Sequence, residues 1–484
     1  MHLSLVPDTP SQAPDYFCTW NLQGYMVSYS GGENTRAAMT EQSLFGKGRW
    51  EGWVEMFPQI RADLYFVMDD SWDIPKDVNS GANEYLGLAL LDTTRFPSFG
   101  GTPAERLSGL NDKVKSYGWK GIGGWICAQE AAADSCGHSA DSYWTERLKA
   151  AHEAGIGYWK VDWGRHCRNA EWRRNLTRLG RIHAPGLYIE HAMQNDYVEF
   201  SDVFRTYDVE NIVATPVTIQ RVANLLPFEA HGEAKGIINC EDEPYIAAGL
   251  GCAIGIMRHS FNGQLPDGSQ DNVFPPVGRN YKKRLDEVVR GVRWHRIAPP
   301  FGVADDACID TVKLQDYWIV QADETWVNRM AGEVVHETAP ARISRNMPLP
   351  EVFGVHADSV PYVMSSRYPN GATAIVATER TLGRECVLCP ADVTVRLADL
   401  YRPVGIFGRY HRLTLAFPDD IPSASIKVYA QDLISDHAVE ITDRIAIEGN
   451  QIILDRELID TIGLSCATPG DESLPGMVMQ VFAK

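Results

Sequence analysis

Over roughly its first three hundred residues the chain alternates short apolar runs with longer stretches whose apolar positions recur at helical spacing. Residues 64–68 read Leu-Tyr-Phe-Val-Met and end in Asp69-Asp70, the pattern of a strand buried on both faces. In 103–117, Leu107, Leu110, Val114 and Tyr117 fall on one helical face, with Pro103 near the start and Gly118 just past the end. Residues 119–125 return to strand and 146–155 to helix. Further strands are predicted at 16–20, 156–162, 186–190, 202–208, 236–240 and 252–257. That makes eight strands, each but the last followed by enough chain for a crossover. The pattern predicts a (β/α)8 TIM barrel.

The rhythm changes after Ala298-Pro299-Pro300. Beyond it, short β-rich runs such as 317–321, 372–377, 426–429 and 444–448 are separated by turn residues, and few helical periodicities survive. A C-terminal antiparallel β-sandwich is predicted. The 484 residues therefore divide into a barrel over 1–298 and a sandwich over 299–484.

Composition narrows the class of function. Hydrophobic residues make up 44% and charged residues 22%, as in a folded globular protein. Asp plus Glu number 63 against 45 Lys plus Arg, a formal net charge of −18. Such a surface repels nucleic acid and anionic membranes, while a neutral sugar is compatible with it. The ten cysteines are scattered; Cys386 and Cys389 form a CxxC with no partner pair, so ordinary thiols are expected rather than zinc or redox chemistry. The N-terminus carries no apolar run of signal-peptide length, and no segment is long enough to span a bilayer. A cytoplasmic location is expected, or a secreted one if a leader has been removed; no cofactor or metal is expected, and oligomeric state is left open.

In a barrel the C-terminal ends of the strands converge on one mouth. Those ends bring Asp69, Asp70, Trp125, Lys160, Asp162, Glu190, Arg205, Asp208 and Asp242 together. Carboxylates bind hydroxyls through charged hydrogen bonds, and indole faces cover the apolar side of a pyranose. Two strand-end carboxylates, Asp162 and Asp208, meet the needs of glycosidic bond cleavage. A strand-end Asp also commonly caps a helix, and tryptophans such as Trp125, Trp159 and Trp163 commonly fill a core. Gly121-Ile122-Gly123-Gly124 lies within a strand, so its glycines read as structural and not as a phosphate cradle.

With these strings in view, residues 16–260 resemble the α-galactosidase clan of glycoside hydrolases, families 27, 36 and 31. The resemblance rests on Asp69-Asp70-Ser71-Trp72, on Asp92-Thr93-Thr94-Arg95-Phe96-Pro97-Ser98 and on Lys160-Val161-Asp162. It implies a retaining exo-α-glycosidase acting on an oligosaccharide or glycoside. Asp162 would be the nucleophile and Lys160 a hydroxyl ligand beside it. Asp69 and Asp70 would grip the sugar's O4 and O6 side, Glu190 would read its 2-substituent, and Arg205 would bind beside the acid/base. Asp242 is implied by Asn239-Cys240-Glu241-Asp242. Two features depart from the clan. Only Thr206 and Tyr207 separate Arg205 from Asp208, where three residues are usual, so Glu210 and Asp202 stay open beside Asp208 as acid/base. Trp163-Gly164 comes after the nucleophile in place of the Asn-Cys of family 27. Alternatives are a non-catalytic carbohydrate-binding protein on this scaffold, a clan enzyme for another sugar such as a β-L-arabinopyranoside or α-glucoside, and a lyase or aldolase using Lys160 as a Schiff base.

Overall fold

The computed structural model describes residues 3–27, 35–78, 84–206, 211–261, 280–304, 306–322, 329–355 and 359–484. Eight parallel strands close into a barrel in sequence order. They are β1 (Tyr16–Cys18), β2 (Tyr65–Met68), β3 (Gly121–Ile126), β4 (Tyr158–Val161), β5 (Tyr188–His191), β6 (Val203–Arg205), β7 (Ile237–Glu241) and β8 (Ala253–Ile256). β8 pairs back onto β1, with Tyr16 opposite Gly255. All eight fall where the apolar runs predict them, within a few residues.

The outer ring contains α1 (Trp20–Val27), α2 (Glu41–Phe45), α3 (Pro103–Lys115), α4 (Ala140–Glu153), α5 (Ala170–His183), α6 (Ala214–Leu225), α7 (Pro244–Leu250) and α8 (Leu285–Ile297). Local chemistry fixes their ends. Thr102 and Glu105 form a reciprocal capping box ahead of α3, with Pro103 as its first helical residue. α4 begins earlier than its apolar pattern indicates, because Ser139 caps a polar first turn by accepting from the Ser142 amide. Between β5 and β6 stands a 3-10 segment, Asn195–Phe200.

Alternation along the strands divides their side chains between two cores. Tyr16, Cys18, Val67, Tyr158, Val203, Ile237 and Ala253 pack together inside the barrel. Phe17, Phe66, Ile122, Trp159, Ile189, Phe204, Ile238 and Ile254 join the core beneath the helices. The glycines of β3 allow close approach: a Cβ on Gly123 would come within 2.7 Å of the Tyr158 carbonyl, and one on Gly124 within 2.8 Å of the Trp72 ring.

After α8 the chain forms sheets of four, eight and five strands. The expectation of a purely antiparallel arrangement is corrected: Thr373–Ala377 runs parallel to Val404–Gly408, and Ala391–Arg396 parallel to Arg412–Ala416. Parallel neighbours need a crossover. Between 377 and 404 the chain supplies one by visiting the four-stranded sheet and then the five-stranded sheet. Val363, Ile375, Ile406 and Met477 of the eight-stranded sheet share one apolar cluster with Val393, Leu413 and Ile452 of the five-stranded sheet. Arg456–Gly463 is a helix that the β-rich pattern does not predict.

Candidate active site

The barrel mouth holds a cavity of about 350 Å³ lined by acidic, cationic and aromatic side chains. Of the residues read from sequence, Asp69, Asp70, Trp125, Lys160, Asp162 and Arg205 line it. Lys160 and Asp162 reach it because residues two apart on β4 face the same side. The Asp162 amide donates to the Ile126 carbonyl (2.9 Å), which extends the β3–β4 pairing and fixes the backbone beneath the carboxylate.

Each Asp162 oxygen has its own donor: Arg205 Nη2 lies 3.0 Å from Oδ1, and Trp125 Nε1 donates to Oδ2 at 2.9 Å. Burial alone would raise the pKa of this group. The charges of Arg205 and Lys160, with the indole bond, outweigh burial and hold Asp162 below the usual carboxylate value. It stands ionised at neutral pH, and each oxygen keeps a further lone pair.

Lys160 Nζ donates to Asp69 Oδ2 at 2.8 Å, and the Cys18 thiol donates to the same oxygen at 2.9 Å. Burial opposes the lysine's charge, but Asp69 outweighs it and its pKa is raised. A Schiff base needs a neutral amine, so this pairing disfavours the aldolase reading. Asp70 is gripped by Arg36, whose Nε lies 3.1 and 3.0 Å from its two oxygens. Burial nonetheless keeps the Asp70 pKa above its ordinary value, against the pull of Arg36.

Two expected ligands are placed elsewhere. Glu190 is wholly buried below the mouth, where it accepts from Tyr158 Oη (2.7 Å) and Asn239 Nδ2 (2.7 Å) and lies 3.6 Å from Arg205 Nη1. Its place is to support Arg205. Asp242 accepts from the amides of Met257 (2.9 Å) and Arg258 (3.2 Å), tying the end of β7 to the segment after β8. Its neighbour Glu241 lines the cavity instead, 3.6 Å from Arg205 Nε. Asn239 already faces inward, so alternation turns Glu241 in and Asp242 away.

Asp208 and Glu210 lie outside the described residues. Asp202 sits at the opposite end of the barrel, where it accepts from the Ile189 amide (3.0 Å) and pairs with Arg181 (3.4 Å). Trp20, Trp163, Asn211, Arg221 and Met257 also line the cavity without having been read as ligands. Alternation from Cys18 and Gly255 marks Trp20 and Met257. Arg221 reaches in from α6, and no local signal marks it.

Behind the site stands Arg173 of α5, fully buried. Its guanidinium donates to the carbonyls of Asp162, Val161 (3.2 Å) and Cys167 (3.0 Å) and meets His191 Nδ1 at 3.1 Å. Among the described residues no group of three or more His, Cys, Asp or Glu is disposed to hold a metal ion, and no helix is long and apolar enough to cross a membrane.

No known family model and no curated protein matches the chain. Solved structures with similar folds include an α-galactosidase-like protein of Bacteroides fragilis NCTC 9343, at 12% identity over 98% of this chain and 79% of that one, TM-score 0.41. A GH27 β-L-arabinopyranosidase of Geobacillus stearothermophilus is 10% identical over 97% of both chains, TM-score 0.37. An α-amylase of Geobacillus thermoleovorans is 9% identical over 98% of this chain and 99% of that one, TM-score 0.44. Likeness at this level bears on fold alone, and the barrel already stands on its own strand pairing.

Proposed function

We propose that the protein is a retaining exo-acting α-glycoside hydrolase working by double displacement. Asp162 attacks the anomeric carbon while Asp208, protonated, delivers its proton to the leaving oxygen. A β-linked glycosyl ester forms on Asp162. Asp208, now ionised, deprotonates the water that cleaves the ester. Lys160, Asp69, Asp70, Glu241 and Arg205 supply hydrogen bonds around the sugar, and Trp125 covers its apolar side. Residues 1–298 form the catalytic unit in this reading, and 299–484 a β-sandwich packed on it.

The observation that carries the proposal is Asp162 itself: a carboxylate held ionised in a cavity, on a fixed backbone, with lone pairs to spare. In the Asp162→Ala protein, turnover of an activated aryl α-glycoside is expected to fall by about 10³-fold or more. Azide supplied in the cavity should then restore product as a glycosyl azide of inverted configuration. Turnover that survives the substitution would remove Asp162 from the mechanism.

One observation favours a second reading, sugar binding without turnover. Arg205 and Asp208 are one residue closer in sequence than the clan's pattern has them. Calorimetric titration with sugars beside a panel of aryl α- and β-glycosides separates the two: binding without hydrolysis on any member selects the second.

A further inference from the structure

Trp163 stands at the rim of the cavity directly after Asp162, and 40% of it is exposed. Such exposure is unusual for the largest apolar side chain, and the surroundings show that it is not slack. The Trp163 carbonyl accepts from the Ala128 amide at 2.8 Å. At Gly164, φ is +141° and a Cβ would come within 2.7 Å of the Ala128 backbone. Three residues on, the same loop is held again: His166 stacks on Trp172 with 5.1 Å between centroids, and Glu130 accepts from the indoles of Trp144 and Trp172 at 2.8 Å each. His166 Nε2 lies 3.3 Å from Glu130. The inner side of Trp163 rests against Trp125, centroids 5.7 Å apart, and Trp125 is the indole bonded to Asp162.

We infer that Trp163 is the binding platform for the leaving group, and that this group presents a flat or ring-shaped apolar face, such as a phenolic aglycone or the apolar side of a second sugar. This rests on the glycosidase reading of the same cavity and adds its leaving-group specificity. The sugar undergoing cleavage is held by the charged residues deeper in the mouth. What departs from Asp162's reaction centre must leave outward, past the rim. An indole fixed there loses little freedom on stacking, and aromatic stacking of this kind is worth up to about tenfold in affinity.

The test is calorimetric titration of wild type, Trp163→Ala and Trp163→Phe with methyl and 4-nitrophenyl α-D-galactopyranoside, the corresponding β-L-arabinopyranosides and an α-1,6-linked galactosyl disaccharide, with turnover monitored alongside. Wild type should bind the aryl glycoside about tenfold tighter than the methyl glycoside. Trp163→Ala should abolish that preference and leave methyl-glycoside affinity within about twofold, and Trp163→Phe should keep most of it. A parallel loss on the disaccharide assigns the platform to a sugar ring; a loss confined to the aryl glycoside assigns it to a phenol. Equal losses on methyl and aryl glycosides, or an aryl preference that survives in Trp163→Ala, overturns the inference. Wild type that hydrolyses both without preference overturns the platform alone. Wild type that binds with the preference but hydrolyses nothing overturns the hydrolase reading and upholds the platform, and failure to bind any of these glycosides overturns the platform.

Discussion

Asp162 and Asp73 are both buried aspartates a short way past a barrel strand, yet their surroundings drive ionisation in opposite directions. Asp162 has three cations, Arg205, Lys160 and Arg173, and an indole to offset burial. Asp73 has the Ala89 amide on Oδ2 (2.8 Å), while its buried Oδ1 has no hydrogen-bond partner among the described residues. Burial, reinforced by the charge of Asp70, pushes its pKa up to about 7. A carboxyl raised above its unfolded value of about 3.9 favours the fold at low pH, and that benefit is lost as pH rises through the folded value. Asp162, lowered in the fold, contributes fully above about pH 4 and fades only below it, so it is constant over the range where Asp73 titrates. Wild type should therefore lose about 3 kcal/mol between pH 5 and pH 8 on account of Asp73. Asp73→Asn should flatten the profile by that amount, measured by urea denaturation at both pH values. Identical slopes would mean that Asp73 is already ionised in the native protein.

α5 acts on the strand before it through Arg173, which gathers carbonyls from the end of β4 and the loop after it. A guanidinium can hold several carbonyls at once, and its charge also reaches the Asp162 carboxylate. Arg173→Lys keeps the charge without the fork and should lower kcat by about 10²-fold through misplacement, leaving the acid limb of kcat/KM where it was. Arg173→Gln removes the charge as well, so Asp162 titrates higher and the acid limb should move to higher pH. An unmoved limb in both variants would reduce Arg173 to scaffolding. None of this is visible in the sequence, because the clamp joins a helix to carbonyls, which carry no side-chain signature. The strands were legible, since a buried parallel strand must be apolar on both faces, and so were Lys160 and Asp162 on one of them. At the end of β7 a motif match pointed to Asp242, whereas alternation from Asn239 selects Glu241; a shift of one position changes the face. The sheet pairing after α8 was not legible for a different reason: which strand lies beside which depends on crossovers between sheets, and turn residues mark only where strands end.

At the level of the whole chain, the barrel is fastened to the sheets beyond it. Every residue of α7 is buried, and its Gly249 packs so tightly that a Cβ would meet Val376 at 2.6 Å. Arg290 of α8 forms a two-pronged ion pair with Asp432, Nε to Oδ1 at 3.0 Å and Nη2 to Oδ2 at 3.1 Å, with both side chains fully buried. Asp432 also accepts from the amides of Ile434 and Cys466 at 3.0 Å each, and Arg290 Nη1 donates to the Leu474 carbonyl at 3.3 Å. The pair thus joins the last barrel helix to two separate segments beyond it. Removing one member leaves a buried charge without its counterpart, at a cost of about 3–5 kcal/mol, whereas replacing both by apolar groups of similar volume is close to neutral. Asp432→Ala should therefore lower the urea midpoint sharply, and Arg290→Met with Asp432→Leu should recover much of the loss. If barrel and C-terminal sheets fold as one unit, loss of sugar binding at the mouth and loss of C-terminal structure will share a single transition in wild type and in the double variant. In Asp432→Ala the two should part, with the C-terminal sheets melting first, because the uncompensated arginine sits on the barrel side and the segments it held have lost their anchor. Two separate transitions already in wild type would show that the interface does not couple the halves, and that the mouth depends on the barrel alone.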